Sequence, residues 1–121
     1  MSVNYPSPRE VADRQLEAYN AKDMAAYLAL FHDDAVLTNL PAGEVVASGI
    51  KDIRAMYEHR FATPGLRCEV HERSEIGDVA IDRETVFTSE APPVDILAMY
   101  HVVEGKIAKI FFIRGGDLPA S

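Results

Sequence analysis

The chain has 121 residues, of which 48% are hydrophobic and 26% charged, and its formal net charge is −7. This length suits one domain with a substantial core and is too short for two, so residues 1–121 are predicted to form a single domain, with tails at 1–6 and 115–121. The negative charge argues against nucleic acids and anionic membranes as partners, because binding to phosphate groups needs a basic surface.

The cysteine content and the absence of long apolar runs limit the class of protein further. Cys68 is the only cysteine, so neither an intrachain disulfide nor a cysteine-rich zinc site can form. No apolar run approaches the roughly 20 residues that cross a bilayer, and the first ten residues lack the apolar segment of a secretory signal. There is no glycine-rich phosphate loop. We therefore expect a cytoplasmic protein that uses no metal and no cofactor.

Two helices are predicted near the start of the chain. Ser7 caps the first helix, with Pro8 in its first turn and Glu10 completing a capping box. Asp23 caps the second helix, which residues 32–34 are expected to end. The apolar residues of this second helix follow the spacing i, i+3, i+4 and i+7; they are Met24, Tyr27, Leu28 and Phe31.

The rest of the chain predicts two short strands, a third helix and a sheet of four long strands. The short strands cover residues 35–40 and 45–47, and the third helix begins at Ile50. From Leu66 onward the hydrophobic period changes to two, which predicts an antiparallel meander. Its last two strands are apolar on both faces. Three short helices can cover only one face, so we expect the other to be buried in a homodimer.

This order of elements resembles the nuclear transport factor 2-like superfamily, especially its SnoaL-like and ketosteroid isomerase-like branches. The segments that carry the resemblance are YNAKDMAAYLALFHDDAVL, SGIKDIRAMYEHRF and MYHVVEGKIAKIFFI. The resemblance implies an α+β fold of the cystatin-like kind, in which three N-terminal helices pack on a strongly curved antiparallel sheet. It also implies a cone with a mostly apolar pocket inside. Many activities share this fold, so the activity must be argued from the site.

The resemblance also implies where catalytic residues would lie. In the steroid isomerases an aspartate just before a proline moves the proton, and here Asn39 holds that place. An amide has no useful basicity, so Asn39 can only hold and orient a ligand. The carbonyl-polarising tyrosine and protonated aspartic acid of the isomerases fall at Gln15 or Leu16 and at Met99, and neither matches. Tyr57 alone coincides with a tyrosine that supports the isomerase oxyanion hole.

His101 is the strongest remaining candidate for a catalytic group. It shares a strand face with Met99, which the resemblance turns toward the pocket. Desolvation lowers the pKa of a buried imidazole, which suits a general base near neutral pH. The alternative is a core histidine that is hydrogen-bonded to a backbone carbonyl or to the dimer partner.

The strand VAIDRETVF has two different faces, and the sequence leaves open which one faces the pocket. If the more apolar face points inward, Arg83 is a buried cation that could hold an anionic ligand. If the register is reversed, Glu84 points inward and becomes a candidate acid or base. A third interpretation is a solvated charge cluster with no role in the pocket.

The sequence favours two functional hypotheses. The first is a cofactor-independent isomerase or cyclase that acts by proton transfer on a small hydrophobic carbonyl compound, with His101 as base or acid and with Asn39 and Tyr57 positioning the substrate. The second is a non-catalytic module of the same fold that binds a hydrophobic ligand or serves dimerisation. Further residues expected to line the pocket, besides Tyr57, are Met99, Arg83, Phe31, Phe61 and Phe112.

Overall fold

The computed structural model describes residues 4–115, so residues 1–3 and 116–121, which belong to the predicted tails, lie outside the described range. Three helices and six strands make up this part of the chain. In chain order they are α1 (Pro8–Ala21), α2 (Met24–Leu28), β1 (Phe31–Asn39), β2 (Glu44–Ser48), α3 (Ile50–Phe61), β3 (Arg67–Ile76), β4 (Val79–Phe87), β5 (Val94–Val103) and β6 (Lys106–Arg114).

The first two helices begin where the capping residues predict. The Glu10 N–H donates to Ser7 Oγ at 3.1 Å, and the Ser7 N–H donates back to the Glu10 carboxylate at 3.4 Å, which completes the capping box. Asp23 accepts from the Ala26 N–H at 3.1 Å at the start of α2. These caps stabilise helix ends by satisfying N–H groups that have no partner within the helix.

The predicted end of the second helix is wrong. α2 ends at Leu28, and Phe31 already belongs to β1, as do residues 32–34. Phe31 pairs with Ile107 in the parallel ladder between β1 and β6, and the Ile107 N–H donates to the Leu30 carbonyl at 2.8 Å. Pairing with β6 therefore overrides the helical spacing, and the Phe31 ring still reaches the core.

The six strands form one sheet in the order β2-β1-β6-β5-β4-β3. The four long strands β3 to β6 pair antiparallel in sequence, which confirms the predicted meander. β1 joins β6 in parallel and β2 antiparallel. Within the described residues β2 and β3 remain as edges, so the predicted cone is an open sheet rather than a closed one.

The inner face of the sheet packs against the helices. Its buried residues alternate along the central strands; they are Ala80, Asp82, Glu84 and Val86 on β4, Ile96, Ala98, Tyr100 and Val102 on β5, and Ile110 and Phe112 on β6. The helices contribute an aromatic cluster, in which the ring centroids of Tyr27 and Tyr57 lie 4.5 Å apart. Ring packing of this kind adds roughly 1 kcal/mol per pair beyond burial.

The outer face of the sheet is also largely apolar. Leu97, Met99, Phe111 and Ile113 are half-buried there, and Val103 is exposed. An apolar strip of this kind is what led to the expectation of a homodimer. The dimer stays a prediction, and the solution mass, compared with 13.4 kDa for one chain, would test it.

Candidate functional site

A narrow cavity of about 30 Å³ lies between α1, α3 and the inner face of the sheet. Its polar lining residues are Gln15, Tyr19, Tyr57, Arg60, Cys68, Glu84, Tyr100 and Arg114. Its apolar lining residues are Val86, Ile96 and Phe112. This volume holds about two water molecules. The pocket therefore lies where the fold predicts, and polar side chains interrupt its apolar surface.

Glu84 is the carboxyl group of this cavity, and it lies on β4 with only 6% of its surface exposed. The Cys68 thiol on the neighbouring strand β3 donates to Glu84 Oε2. No hydrogen bond from residues 4–115 reaches Oε1, so this oxygen is available to a ligand. Asn20 holds Cys68 in place through two hydrogen bonds to its backbone, of 2.8 and 3.0 Å.

The environment of Glu84 brings the pKa of its carboxyl group close to neutral pH. Burial raises the pKa of Glu84 from 4.5 to about 7, because the charged form loses its hydration. The Cys68 hydrogen bond works in the opposite direction, the negative charge of Asp82 raises the pKa, and Arg73 lowers it. A carboxyl group of this kind can both accept and donate a proton near pH 7. The Cys68 thiol itself stays protonated, since burial raises its pKa far above its usual value.

A buried ion pair lies beside Glu84 on the same face of β4. Asp82 is fully buried, and both of its carboxylate oxygens accept from the Arg73 guanidinium, at 2.6 and 2.8 Å. Arg73 also forms an ion pair with Asp13 on α1, whose side chain is 66% exposed. The pair therefore ties β3 and β4 to α1 and keeps a negative charge near Glu84.

The phenol groups at the cavity form a hydrogen-bonded chain. Tyr100 OH donates to Gln15 Oε1, and Gln15 Nε2 donates to Tyr27 OH, both at 3.3 Å. The Tyr57 ring lies beside that of Tyr27, with centroids 4.5 Å apart, and burial raises the pKa of both phenols. Tyr57 lines the cavity, so its O–H can donate to a ligand there. Tyr57 remains protonated at neutral pH.

Two arginines complete the lining. Arg60 lies near the end of α3, and Arg114 is the last residue of β6. Asn39, at the end of β1, accepts from Arg114 Nη1 at 2.8 Å, and the Arg114 guanidinium lies 5.4 Å from the centre of the Phe112 ring. Both arginines are half-buried, so they form the partly open end of the cavity.

Comparison with known families identifies the architecture. The SnoaL-like domain profile matches residues 12–110. The chain belongs to the SnoaL-like domain family. No functionally curated protein sequence matches it.

Solved structures agree with this assignment. An uncharacterized cystatin-fold protein from Novosphingobium aromaticivorans is 30% identical, with a TM-score of 0.82 over 90% of this chain and 99% of the other. A candidate ketosteroid isomerase from Kribbella flavida is 13% identical, with a TM-score of 0.81 over 94% and 82% of the two chains. A candidate polyketide cyclase from Sinorhizobium meliloti is 21% identical, with a TM-score of 0.74 over 84% and 92%. The last two similarities concern the fold alone.

The SnoaL-like chain offers no structural sign of a metal site or a membrane span in its described part. Residues 4–115 contain no group of three or more His, Cys, Asp or Glu side chains arranged to hold a metal ion. None of the helices in that range has the length and apolar character to cross a bilayer.

Three of the sequence-predicted site residues lie at or beside the cavity of the SnoaL-like domain. Tyr57 and Phe112 line it, and Asn39 reaches it through its hydrogen bond to Arg114. Phe31 and Phe61 do not line it in the described structure. They pack against Tyr27, with ring centroids 5.3 and 5.4 Å away, so they belong to the aromatic cluster behind the cavity.

The expected placement of the other three residues is wrong. Met99 and His101 lie on the outer face of β5, because Tyr100 and its even-numbered neighbours fill the inner face. Arg83 is exposed on the outer face of β4, opposite Leu97. The two strands are apolar or mixed on both faces, so alternation alone could not decide which residues point inward. Of the two registers left open for β4, the one with Glu84 inward is correct.

Several residues of the cavity were not chosen from the sequence. Gln15 and Tyr19 share one face of α1 through their i, i+4 spacing. On α3, Arg60 shares a face with Tyr57, which the sequence did predict, through i, i+3 spacing. The sequence signal that could have located the site is the pair Asp82 and Glu84. Two carboxylates at i, i+2 on a strand, flanked on the same face by small or apolar residues, indicate an inner face with a catalytic or binding role. The apolar character of the opposite face hid this signal.

The pKa of Glu84 makes the stability of the domain depend on pH. Because the folded pKa of about 7 lies above the ordinary value of 4.5, the folded state binds more protons between these values. Stability therefore falls as pH rises from about 4.5 to 7, by up to about 3 kcal/mol. The variant Glu84→Gln lacks this loss, so its free energy of unfolding relative to the wild type should rise by that amount between pH 4.5 and 8.

Urea denaturation of both proteins at the two pH values measures this difference. Glu72→Gln, which changes an exposed glutamate of β3, is the matched control and should show no pH-dependent difference from the wild type. A constant offset between Glu84→Gln and the wild type at both pH values would contradict the raised pKa.

Proposed function

We propose that this SnoaL-like domain is a cofactor-independent enzyme of the isomerase or cyclase type, which transfers a proton on a small carbonyl compound through Glu84. The observation that carries the proposal is the state of this carboxyl group. It is buried in a cavity, has a pKa of about 7 and leaves Oε1 without a hydrogen bond from residues 4–115. Such a group serves as a general base in one half of a reaction and as a general acid in the other.

The first step would form an enolate. Glu84 Oε1 takes a proton from the carbon next to the substrate carbonyl, and the electron pair of the C–H bond moves to the carbonyl oxygen. The Tyr57 O–H, which lines the same cavity, donates to the developing oxyanion. Donors already oriented toward such a charge lower the barrier, because they need no reorganisation during the reaction.

The second step would return the proton. If the substrate is an unsaturated carbonyl compound, the enolate is a dienolate, and neutral Glu84 donates the proton to a different carbon, which moves a double bond. If Glu84 first exchanges its proton with solvent and then protonates the original carbon, the substrate gains a solvent proton in place of its own. In a cyclisation the enolate carbon would instead attack a second carbonyl, and Glu84 would protonate the resulting alkoxide. The buried thiol of Cys68 stays a hydrogen-bond donor to Glu84 throughout.

The size of the cavity limits the substrate. About 30 Å³ is far below the several hundred Å³ of a typical drug-sized pocket, so a steroid or a long polyketide does not fit this state. A small substrate can enter if the half-buried arginines rotate outward. The same small volume supports the alternative, a non-catalytic module of this fold. Such a module would bind small carbonyl compounds without converting them, or would bind none.

Deuterium incorporation separates the enzyme from the module. Small ketones and oxo acids are incubated with the protein in D2O, and the loss of α-proton signals is followed by NMR between pH 5 and 9. The enzyme is expected to speed up exchange, with a rate that rises through an inflection near pH 7 as Glu84 ionises. No enhancement for any compound, although some of them bind, would favour the module.

A further inference from the structure

We propose that the cavity takes a small carboxylic acid, whose carboxylate is held by Arg60 and Arg114 while its carbonyl end faces Glu84 and Tyr57. The proposal rests on the proposed function in one respect only, since it takes the same cavity as the ligand site. It adds the chemical class of the ligand, a short oxo acid, which differs from the neutral hydrophobic compound that the sequence led us to expect.

Arg60 brings a positive charge to the cavity that no carboxylate of the described chain neutralises. The ion pairs among residues 4–115 involve Arg67 and Arg73, and Arg60 takes part in none of them. The positive charge of Arg60 also affects two phenols of the lining. Burial raises the pKa of Tyr19 and of Tyr57, and the charge of Arg60 lowers both pKa values. A half-buried guanidinium beside a cavity is suited to bind an anion, because partial desolvation strengthens the attraction.

Arg114 lines the same cavity, and its contact with Asn39 explains the amide at position 39. Asn39 Oδ1 accepts from Arg114 Nη1 at 2.8 Å. This hydrogen bond orients the guanidinium and adds no negative charge to the site. An aspartate at position 39 would make the same contact but would also add a charge that repels an incoming carboxylate. Asn39 is therefore a positioning residue for the anion site.

Two positively charged side chains line the cavity of a protein whose overall charge is negative. The formal net charge is −7, yet two guanidinium groups line this one cavity, whose carboxyl group has a pKa of about 7 and so is partly neutral at that pH. Guanidinium groups bind carboxylates with charge-assisted and often bidentate hydrogen bonds. Because the closed cavity is so small, only a short acid is expected to enter when the arginines rotate outward.

Binding of 4-oxopentanoate, compared with binding of its methyl ester, tests the proposal. The two compounds have nearly the same carbon skeleton and ketone, and only the acid carries a charge. At pH 7.5, NMR titration of the protein should give an affinity for the acid about tenfold or more above that for the ester, as expected for a charged hydrogen bond. Arg60→Met should remove most of this preference while leaving the affinity for the ester within about twofold.

Two further variants complete the design. Arg54→Met removes an exposed arginine from the same helix and should leave the preference for the acid unchanged. Asn39→Asp should lower the affinity for the acid and not that for the ester. Equal affinity for acid and ester, a preference that Arg60→Met does not change, or no binding of either compound at 50 mM would overturn the inference.

The outcome is distinguishable from failure of the proposed function. If neutral ketones exchange deuterium in a Glu84-dependent manner while acid and ester bind equally, the proton transfer stands and the acid class falls. If the acid binds through Arg60 but no compound exchanges deuterium, the anion site is supported and the proposed enzymatic activity is contradicted.

Discussion

Replacing Glu84 by Gln is expected to slow enzyme-catalysed deuterium exchange by about 100- to 10,000-fold, the range typical for loss of a general acid–base group. Gln has the shape of Glu84 and keeps an acceptor for the Cys68 thiol, but it cannot take up a proton. Ligand affinity should change much less, because the cavity keeps its other lining residues. The ratio of exchange rates for the two proteins, measured at pH 7.5 with a saturating ligand, gives the effect.

Two control variants make this result specific. Glu72→Gln changes an exposed carboxylate on the adjacent strand, and His101→Gln changes the histidine of the outer face. Both should exchange at the wild-type rate within about twofold, since surface substitutions away from a site have small effects. Loss of exchange in His101→Gln with full activity in Glu84→Gln would move the chemistry to the outer face and contradict the assignment.

Replacing Asp82 by Ala is expected to lower the free energy of unfolding by about 3 to 5 kcal/mol, because it leaves the Arg73 guanidinium buried without its main counter-charge. Asp82 is fully buried, and 9% of the Arg73 side chain is exposed. Urea denaturation at pH 7 measures the loss. The pKa of Glu84 should fall in this variant, because the negative charge of Asp82 raises it.

Asp13→Ala is the matched control for the ion pair. Asp13 contacts the same guanidinium, but 66% of its side chain is exposed, so its removal should cost less than about 1 kcal/mol. The double variant Arg73→Met with Asp82→Leu removes both charges and should recover much of the stability lost in Asp82→Ala. If Asp13→Ala and Asp82→Ala lowered the free energy of unfolding equally, burial of the ion pair would not explain its contribution to stability.

The parts of the fold that depend on local chemistry were predictable from the sequence. Ser7 and Asp23 start helices because their side chains accept from nearby N–H groups, and this interaction needs no information from the rest of the chain. The change to a period of two after Leu66 likewise gave the meander. The end of α2 was not predictable in this way, since Phe31 leaves the helix to pair with a residue 76 positions later.

The site was harder to predict, because it depends on which face of each strand is turned inward. On β5 both faces are apolar, and shifting the assignment by one residue exchanges Tyr100 for His101. Such a shift moves a whole set of side chains to the other side of the sheet. On β4 the sequence left both orientations open, and only packing against the helices selects the one with Glu84 inside. The resemblance to the isomerases gave the place of Tyr57 but could not give that of Glu84.

For Asn39 the sequence predicted the chemical property of the side chain but not the residue that it contacts. The sequence indicated that an amide orients rather than reacts. The structure adds the partner that it orients, the guanidinium of Arg114, at 2.8 Å. That partner lies 75 positions further along the chain, and only the parallel pairing of β1 with β6 brings the two residues together.

Direct titration of Glu84 tests whether this carboxyl group can carry a proton at neutral pH. With glutamate side-chain carboxyl carbons labelled with 13C, the NMR signal absent from Glu84→Gln identifies the residue, and its chemical shift is followed from pH 3 to 9. A midpoint near 7 is expected. A midpoint near 4.5, the ordinary value for a solvated glutamate, would mean that Glu84 is ionised at neutral pH like any surface carboxylate and would contradict its role as the proton carrier.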